Sequence, residues 1–135
     1  MVGVQTFYVA GRVHNLPDIQ EIAEHLSRLG LRWSFDWTRR SALPKPYLHG
    51  DLILDAFAQH CIQGAKEADL FILFARDSHG ARGMFIELGV ALTSDAEIWI
   101  IGDEHPSAFS CLKRIHHASD TRTFITQYQS TRTSR

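Results

Sequence analysis

The sequence predicts an α/β sandwich built on a mostly parallel sheet. Short apolar or β-branched runs alternate with stretches whose apolar residues recur at the three- and four-residue spacing of a helix. The clearest run is Leu70 to Phe74, which is apolar throughout, as expected of a strand buried on both faces. Strand–helix alternation of this kind is typical of a parallel sheet covered by helices.

The first half of the chain is predicted to hold two strands and two helices. Residues 6–10 are rich in β-formers and make the first strand. Pro17 and Asp18 suit the first turn of a helix that Gly30 ends. Residues 31–37 alternate as in a strand, residues 38–50 contain two prolines and form a loop, and residues 51–68 carry the apolar stripe of a long helix.

The second half continues the same alternation. The strand at 70–74 is followed by a polar, glycine-bearing loop and by a helix over 83–92. A strand is predicted at 97–101 and a weak one at 115–118. Ser119 and Asp120 can cap a last helix, and the polar tail 130–135 is expected to fray. We expect five parallel strands in the order 2-1-3-4-5.

Bulk properties exclude several classes of function. At 135 residues, with 44% hydrophobic and 21% charged residues, the chain is one ordinary globular domain over 1–135. A net charge of −1 argues against a nucleic acid polymer or an acidic membrane as partner. The chain has no membrane span or signal-peptide pattern, and two cysteines make no disulfide framework, so a cytoplasmic protein is expected. The eight histidines lack zinc-site spacing, so neither a metal nor a cofactor is predicted.

Glu87 is the only charged residue of the predicted helix 83–92. At helical spacing it shares its face with small and apolar side chains, including Gly83 and Met84. A carboxylate in that setting is either a catalytic group or a structural glutamate that finds solvent or an arginine. Spacing alone leaves both interpretations open.

Two loops are placed to bind an anion. Gly11 and Arg12 follow the first strand, and residues 76–83 follow the third. Parallel sheets bind ligands outside the carboxyl ends of their strands, where the strand order reverses. Backbone N–H groups at a helix start, together with arginine, suit phosphate, although glycine in such turns also serves backbone geometry.

Three segments resemble one known family. They are Phe7-Tyr8-Val9-Ala10-Gly11-Arg12, Ala68-Asp69-Leu70, and Glu87-Leu88-Gly89-Val90-Ala91-Leu92 after a glycine-bearing loop. Together they resemble the nucleoside 2-deoxyribosyltransferase-like superfamily, which includes nucleoside deoxyribosyltransferases and 2′-deoxynucleoside 5′-phosphate N-hydrolases. The resemblance extends over about residues 6–120. It implies a flavodoxin-like three-layer sandwich, a homodimer or larger homo-oligomer, and a nucleoside or nucleotide ligand.

The resemblance also implies a site and a reaction. Glu87 matches the family nucleophile, and Tyr8 matches the tyrosine that positions it. The implied reaction is cleavage or transfer of an N-glycosidic bond, with water or a second base resolving a glycosyl ester. The predicted substrate contacts are Gly11, Arg12, Trp37, Asp77, His79, Arg82 and Gly83, with Arg12 and Arg82 holding any phosphate and His79 protonating the base. Each also has a structural interpretation, as core aromatic, surface arginine or solvated loop histidine.

One departure from the family pattern concerns the sugar. The family aspartate that binds the sugar hydroxyls corresponds to Cys61, and a thiol cannot accept two hydrogen bonds as a carboxylate does. The acidic residue often found six positions before the nucleophile corresponds to Ala81, so Asp77 or His79 would have to replace it. An enzyme, a nucleotide-binding module without turnover and a structural partner protein therefore all remain open.

Overall fold

The computed structural model describes residues 5–39 and 43–133. The strands are β1 (Thr6–Ala10), β2 (Arg32–Trp33), β3 (Leu70–Phe74), β4 (Glu97–Ile101) and β5 (His116–Ala118), and the helices are α1 (Leu16–Arg28), α2 (Leu52–Glu67), α3 (Gly83–Leu92) and α4 (Thr121–Thr133). The five strands pair in parallel in the order β2-β1-β3-β4-β5. The predicted flavodoxin-like fold and strand order are confirmed.

The core lies along the central strands. Every residue of β1 and of β3 is buried, which explains why their sequences carry apolar side chains on both faces. Asp69 ties the starts of these strands together, because its carboxylate accepts a hydrogen bond from the Thr6 N–H at 2.9 Å. Asp69 therefore has a structural role and fixes the register at the end of the sheet opposite the predicted site.

Helices form the two outer layers. α1 packs against α4, and α2 packs against α3. α2 begins at Asp51, whose carboxylate caps the N–H groups of Ile53 and Leu54 at 2.9 and 3.1 Å. Within the described residues no helix combines the length and apolar character needed to cross a bilayer.

The second strand is much shorter than predicted. β2 ends at Trp33, and Trp37 lies in a 3-10 turn (Trp37–Arg39) instead of at the end of a strand. Two polar residues cause this. The Ser34 hydroxyl turns to the carbonyl of Gly64 at 2.7 Å, and Asp36 accepts the Thr38 N–H at 3.0 Å, a local turn that competes with strand pairing.

The last helix is longer than predicted. α4 continues through Thr133, so residues 130–133 are helical and the prediction of a frayed tail from Ser130 is wrong for them. The Thr131 hydroxyl bonds the carbonyl of Tyr128 at 2.7 Å, and Arg132 donates to the Tyr128 hydroxyl at 2.8 Å. These contacts give the polar end of the helix local partners. Residues 134–135 lie outside the described residues.

Candidate functional site

A cleft of about 580 Å³ opens at the carboxyl ends of β1 and β3. We call it the Glu87 cleft. Its position is the switch point of the strand order, where β1 and β3 send their following helices to opposite faces of the sheet. It is lined by Gly11, Arg12, Val13, His14, Trp37, Leu43, Tyr47, Phe57, Cys61, Ala81, Arg82, Gly83, Met84 and Glu87.

Tyr8 and Glu87 form a hydrogen-bonded pair at the base of this cleft. The Tyr8 hydroxyl donates to Oε2 of Glu87. Tyr8 is 0% exposed and lies in the middle of β1, while the half-buried Glu87 is in the second turn of α3. One carboxylate oxygen, Oε2, is thus held by a fixed donor.

Burial sets the electrostatics of this pair. It raises the pKa of Glu87 to about 7, and the hydrogen bond from Tyr8 opposes that rise. Burial also raises the pKa of Tyr8 far above its usual value, and the neighbouring Glu87 and Cys61 raise it further. Tyr8 therefore remains a protonated donor, whereas Glu87 can be either carboxylate or carboxylic acid near neutral pH.

α2 holds the Tyr8 ring in place. A Cβ added at Gly64 would lie 2.9 Å from two Tyr8 ring atoms and 2.8 Å from Cβ of Phe35, so only glycine lets the helix come this close. On its other side the ring stacks on Phe71, with centroids 5.9 Å apart. Cys61, one turn before Gly64, reaches the Tyr8 hydroxyl and is 9% exposed to the cleft.

Arg12 and Gly11 lie together on one wall. Nη1 of Arg12 donates to the carbonyls of Asp77 at 2.9 Å and His79 at 3.1 Å, so the guanidinium holds the β3–α3 loop. A Cβ at Gly11 would lie 2.8 Å from Cδ1 of Ile19, so any larger residue would require the end of that side chain to shift. Arg12 lines the cleft, and its other N–H groups can still face an anion.

Arg82, Gly83 and Trp37 also line the Glu87 cleft. Arg82 precedes the first turn of α3, and Gly83 is the first residue of that helix. Their backbone N–H groups therefore lie at the positive end of the helix dipole. Trp37 is buried, and its indole N–H donates to the carbonyl of Val9 at 2.7 Å. Its ring therefore has a fixed position at the edge of the cleft.

The side chains of Asp77 and His79 are not among those that line the Glu87 cleft. His79 lines a second cleft of about 570 Å³, where its ring lies 6.2 Å from that of His105. Asp77 adopts a left-handed backbone (φ 55°), and its carboxylate lies 3.8 Å from Nε2 of His14. The two loop residues proposed to replace the missing acid are thus not part of the lining around Glu87.

Sequence reasoning missed several residues of the Glu87 cleft. The most polar is His14, in a 3-10 turn (Val13–Asn15) directly after Gly11 and Arg12. Its position just beyond the carboxyl end of β1 was a usable signal. Tyr47 and Phe57, by contrast, carry no motif and reach the cleft only through the packing of the 43–50 loop and α2. No group of three or more metal-ligating side chains occurs in residues 5–39 and 43–133.

Comparisons with known proteins define the fold. No protein-family model and no curated protein matches the sequence. Among solved structures, the chain is similar to the CMP N-glycosidase BcmB of Clostridium botulinum, with a TM-score of 0.64 and 15% identity over 93% of this chain and 99% of that one. The two chains share a fold. At this identity the similarity is one of fold, and in this flavodoxin-like fold the Glu87 cleft lies at the topological switch point of the sheet.

Proposed function

We propose that the protein cleaves or transfers the N-glycosidic bond of a nucleoside or nucleotide, with Glu87 as nucleophile. The observation that carries this proposal is the Tyr8–Glu87 pair at the base of a cleft that also holds Arg12 and Arg82. A volume of about 580 Å³ suits a small organic ligand. The fold shared with a protein described as a CMP N-glycosidase adds support for this class of reaction.

In the first step, Oε1 of Glu87 attacks the anomeric carbon of the sugar. The bond from that carbon to the base breaks, its electron pair leaves with the base, and a glycosyl ester forms. The Tyr8 hydroxyl, bonded to Oε2, fixes the carboxylate so that Oε1 faces the sugar. Since burial raises the pKa of Glu87 to about 7, the attacking carboxylate is weakly solvated and basic enough to be an effective nucleophile.

In the second step, water or a second base attacks the same carbon and releases the carboxylate. Hydrolysis and transfer differ only in which molecule enters the cleft at this stage. A 5′-phosphate would lie against Arg12, Arg82 and the N–H groups at the start of α3, because guanidinium and a helix N-terminus both stabilise anions. Gly83 leaves this approach open, since no atom lies within 4 Å of where its Cβ would be.

A nucleotide-binding protein without turnover is the second candidate. It is favoured by Cys61, which stands on the cleft wall where the resemblance implies a sugar-binding carboxylate. A thiol binds hydroxyl groups weakly, so the sugar would be held less firmly for reaction. The two candidates share the ligand and differ in whether the glycosidic bond breaks.

We also propose that the protein forms a homodimer through the outer side of α3. Apart from Glu87, this helix has no charged residue, yet Ile86 is 62% exposed. A helix that is apolar on all sides is normally covered on all sides. A second copy of the chain is the partner that the family resemblance suggests.

Base release decides between the enzyme and the binding protein. The wild type, Glu87→Gln and Glu21→Gln are incubated with ribo- and deoxyribonucleosides and their 5′-phosphates, and free base is measured by chromatography. Glutamine keeps an acceptor for Tyr8 but cannot form the ester, so we expect Glu87→Gln to lose at least about 1,000-fold in rate. Glu21→Gln removes an exposed carboxylate of α1 and should match the wild type. Ligand-dependent melting without base release from the wild type would instead establish the binding protein.

A further inference from the structure

The proposed reaction needs a proton for the departing base, and the Glu87 cleft lacks a second carboxylate. Within residues 5–39 and 43–133, Glu87 is the only acidic side chain that lines it. Retaining glycosidases use a second group to protonate the leaving atom. His79, the candidate suggested by the sequence, lies in the second cleft.

His14 lines the Glu87 cleft and is paired with a carboxylate. Its Nε2 lies 3.8 Å from Oδ2 of Asp77. No hydrogen bond to Nδ1 of His14 occurs within the described residues, and the side chain is about half exposed to the cleft opening. The Asp77 carboxylate therefore lies on the Nε2 side of the imidazole, and Nδ1 is left for a ligand.

The backbone around this pair is anchored on both sides. Asn15, buried beside His14, donates from its amide to the carbonyl of Arg76 at 2.9 Å. Asp77 has its N–H bonded to Glu104 at 2.8 Å and its carbonyl bonded to Arg12 at 2.9 Å. His14 and Asp77 are therefore held opposite each other across the carboxyl ends of β1 and β3, by contacts that do not involve the imidazole itself.

The other proton-bearing groups of the cleft are poorer donors. The guanidinium groups of Arg12 and Arg82 do not release protons under physiological conditions. The Tyr8 hydroxyl already donates its hydrogen bond to Glu87, and the Cys61 thiol contacts the Tyr8 hydroxyl. Imidazole is the side chain whose ordinary titration lies closest to neutral pH, which is the requirement for a general acid that must be recharged in each cycle.

We propose that His14, oriented by Asp77, is the general acid and base of the reaction assigned to Glu87. The imidazolium gives its proton to the base as the glycosidic bond breaks, and the bond's electron pair goes to the base. Neutral His14 then takes a proton from the water that attacks the anomeric carbon, while the ester's electron pair returns to Glu87. The net change is nucleoside plus water to free base plus sugar, or nucleotide plus water to free base plus sugar phosphate, and this assignment rests on the proposed function.

The test measures how strongly the rate depends on the leaving group. The base released fastest by the wild type is replaced by a series of its ring-halogenated forms, which depart more readily without a proton. His14→Gln keeps a polar side chain beside Asp77 but has no acidic proton to give. We expect the His14→Gln variant to release the unmodified base about 100-fold more slowly than the wild type, or slower still. Its rate should approach the wild-type rate as the base carries more halogen atoms.

Two further variants separate proton donation from structure. His105→Gln removes an exposed imidazole from the second cleft and should leave the rates unchanged for every base. Asp77→Asn removes the paired charge, and asparagine tolerates the left-handed backbone found there, so a smaller loss with the same leaving-group dependence is expected. Circular dichroism confirms that each variant is folded.

The outcomes distinguish this assignment from the proposed function. If the wild type releases base, Glu87→Gln does not, and His14→Gln matches the wild type across the series, the role of His14 is overturned while that of Glu87 stands. An equal loss for every halogenated base also overturns it, because a residue that only shapes the cleft would behave in that way. If the wild type releases no base from any substrate, both assignments are overturned.

Discussion

The Tyr8 hydroxyl on β1 donates its hydrogen bond to the Glu87 carboxylate on α3. The two residues are 79 positions apart in the sequence, and the parallel pairing of β1 with β3 brings their elements together. Burial raises the pKa of Glu87 to about 7, and the hydrogen bond is the contact that opposes this rise. The balance between the two sets the pH at which Glu87 is ionised.

Tyr8→Phe should move the pH dependence of the reaction upward. Without the donor, the Glu87 carboxylate is destabilised and its pKa rises above about 7. At a pH below the pKa, each unit by which the pKa of Glu87 rises lowers the ionised fraction of Glu87 about tenfold. We therefore expect kcat/KM at pH 6 to fall by about tenfold or more. The measurement is the ascending limb of kcat/KM against pH, which reports the free enzyme.

A suitable control for this experiment is Tyr128→Phe, which removes a phenolic hydroxyl from α4 on the other side of the sheet. It should leave the ascending limb in place. A Tyr8→Phe variant that loses activity equally at every pH would show that Tyr8 positions the carboxylate without tuning its charge.

Glu87 should make the folded protein less stable as pH rises. Its pKa is raised from 4.5 to about 7 in the folded state, so between these values the folded chain binds more protons than the unfolded chain. Stability contributed by the protonated form is fully present below about 4.5 and is lost as pH rises through about 7. Glu87→Gln removes this dependence, so the variant should gain up to about 3 kcal/mol over wild type at pH 8 and little at pH 4.

The measurement is urea denaturation of wild type, Glu87→Gln and Glu21→Gln at both pH values. Glu21 is exposed on α1, so its substitution controls for net charge. Equal stability of wild type and Glu87→Gln at pH 8 would mean that folding does not raise the pKa of Glu87.

Gly64→Ala tests whether the close approach of α2 positions Tyr8. The added Cβ would lie 2.9 Å from the Tyr8 ring and 2.8 Å from Phe35, so the ring or the helix must move. We expect a loss of about 1–3 kcal/mol in the free energy of unfolding and a loss of base release larger than this destabilisation explains. Gly89→Ala is the matched control, because its Cβ would meet no atom within 4 Å and alanine favours a helix.

Much of the fold was predictable because it depends on local patterns. The apolar runs of β1, β3 and β4 and the apolar helix α3 begin and end where the sequence predicts. The length of β2 was not predictable, because the Ser34 hydroxyl donates to the Gly64 carbonyl and the Asp36 carboxylate accepts from the Thr38 N–H. Alternation in a sequence does not reveal that polar side chains will end a strand by bonding backbone groups.

The sequence predicted which loops and helix starts surround the candidate site, but it predicted less well which of their side chains line it. Glu87, Gly11, Arg12, Arg82 and Gly83 line one cleft because strand ends and helix starts fix their directions. Asp77 and His79 lie in an irregular loop, where a left-handed residue turns the chain and sends neighbouring side chains to different clefts. His14 is in the cleft because it follows the carboxyl end of β1 and Asn15 anchors its turn; the first of these could be read from the sequence, and the second could not.

Ile86→Lys should weaken self-association if α3 forms the dimer interface. The side chain is 62% exposed on an otherwise apolar helix, and a charge there would be desolvated when two copies meet. We expect a dimer mass for the wild type at tens of micromolar in light scattering and a shift toward the monomer for the variant. Gln20→Lys adds the same charge on α1 and should not change the mass. A monomeric wild type would contradict the proposed dimer.

Cys61→Asp tests whether this position contacts the sugar. Cys61 lines the cleft on α2 beside Tyr8, where the resemblance implies a carboxylate that accepts hydrogen bonds from sugar hydroxyls. If the sugar lies there, an aspartate should lower KM and increase base release from deoxynucleosides at pH 8, where a second carboxylate near Glu87 can still ionise.

The same substitution should reduce stability, because Cys61 is 9% exposed and a carboxylate at that depth is poorly solvated. A loss of about 1–3 kcal/mol in the free energy of unfolding is expected without substrate, and bound nucleotide should reduce it. Cys61→Asn separates charge from hydrogen bonding, since it accepts one bond from a hydroxyl without adding charge. A folded Cys61→Asp variant with unchanged KM and unchanged sugar preference would place the sugar elsewhere in the cleft.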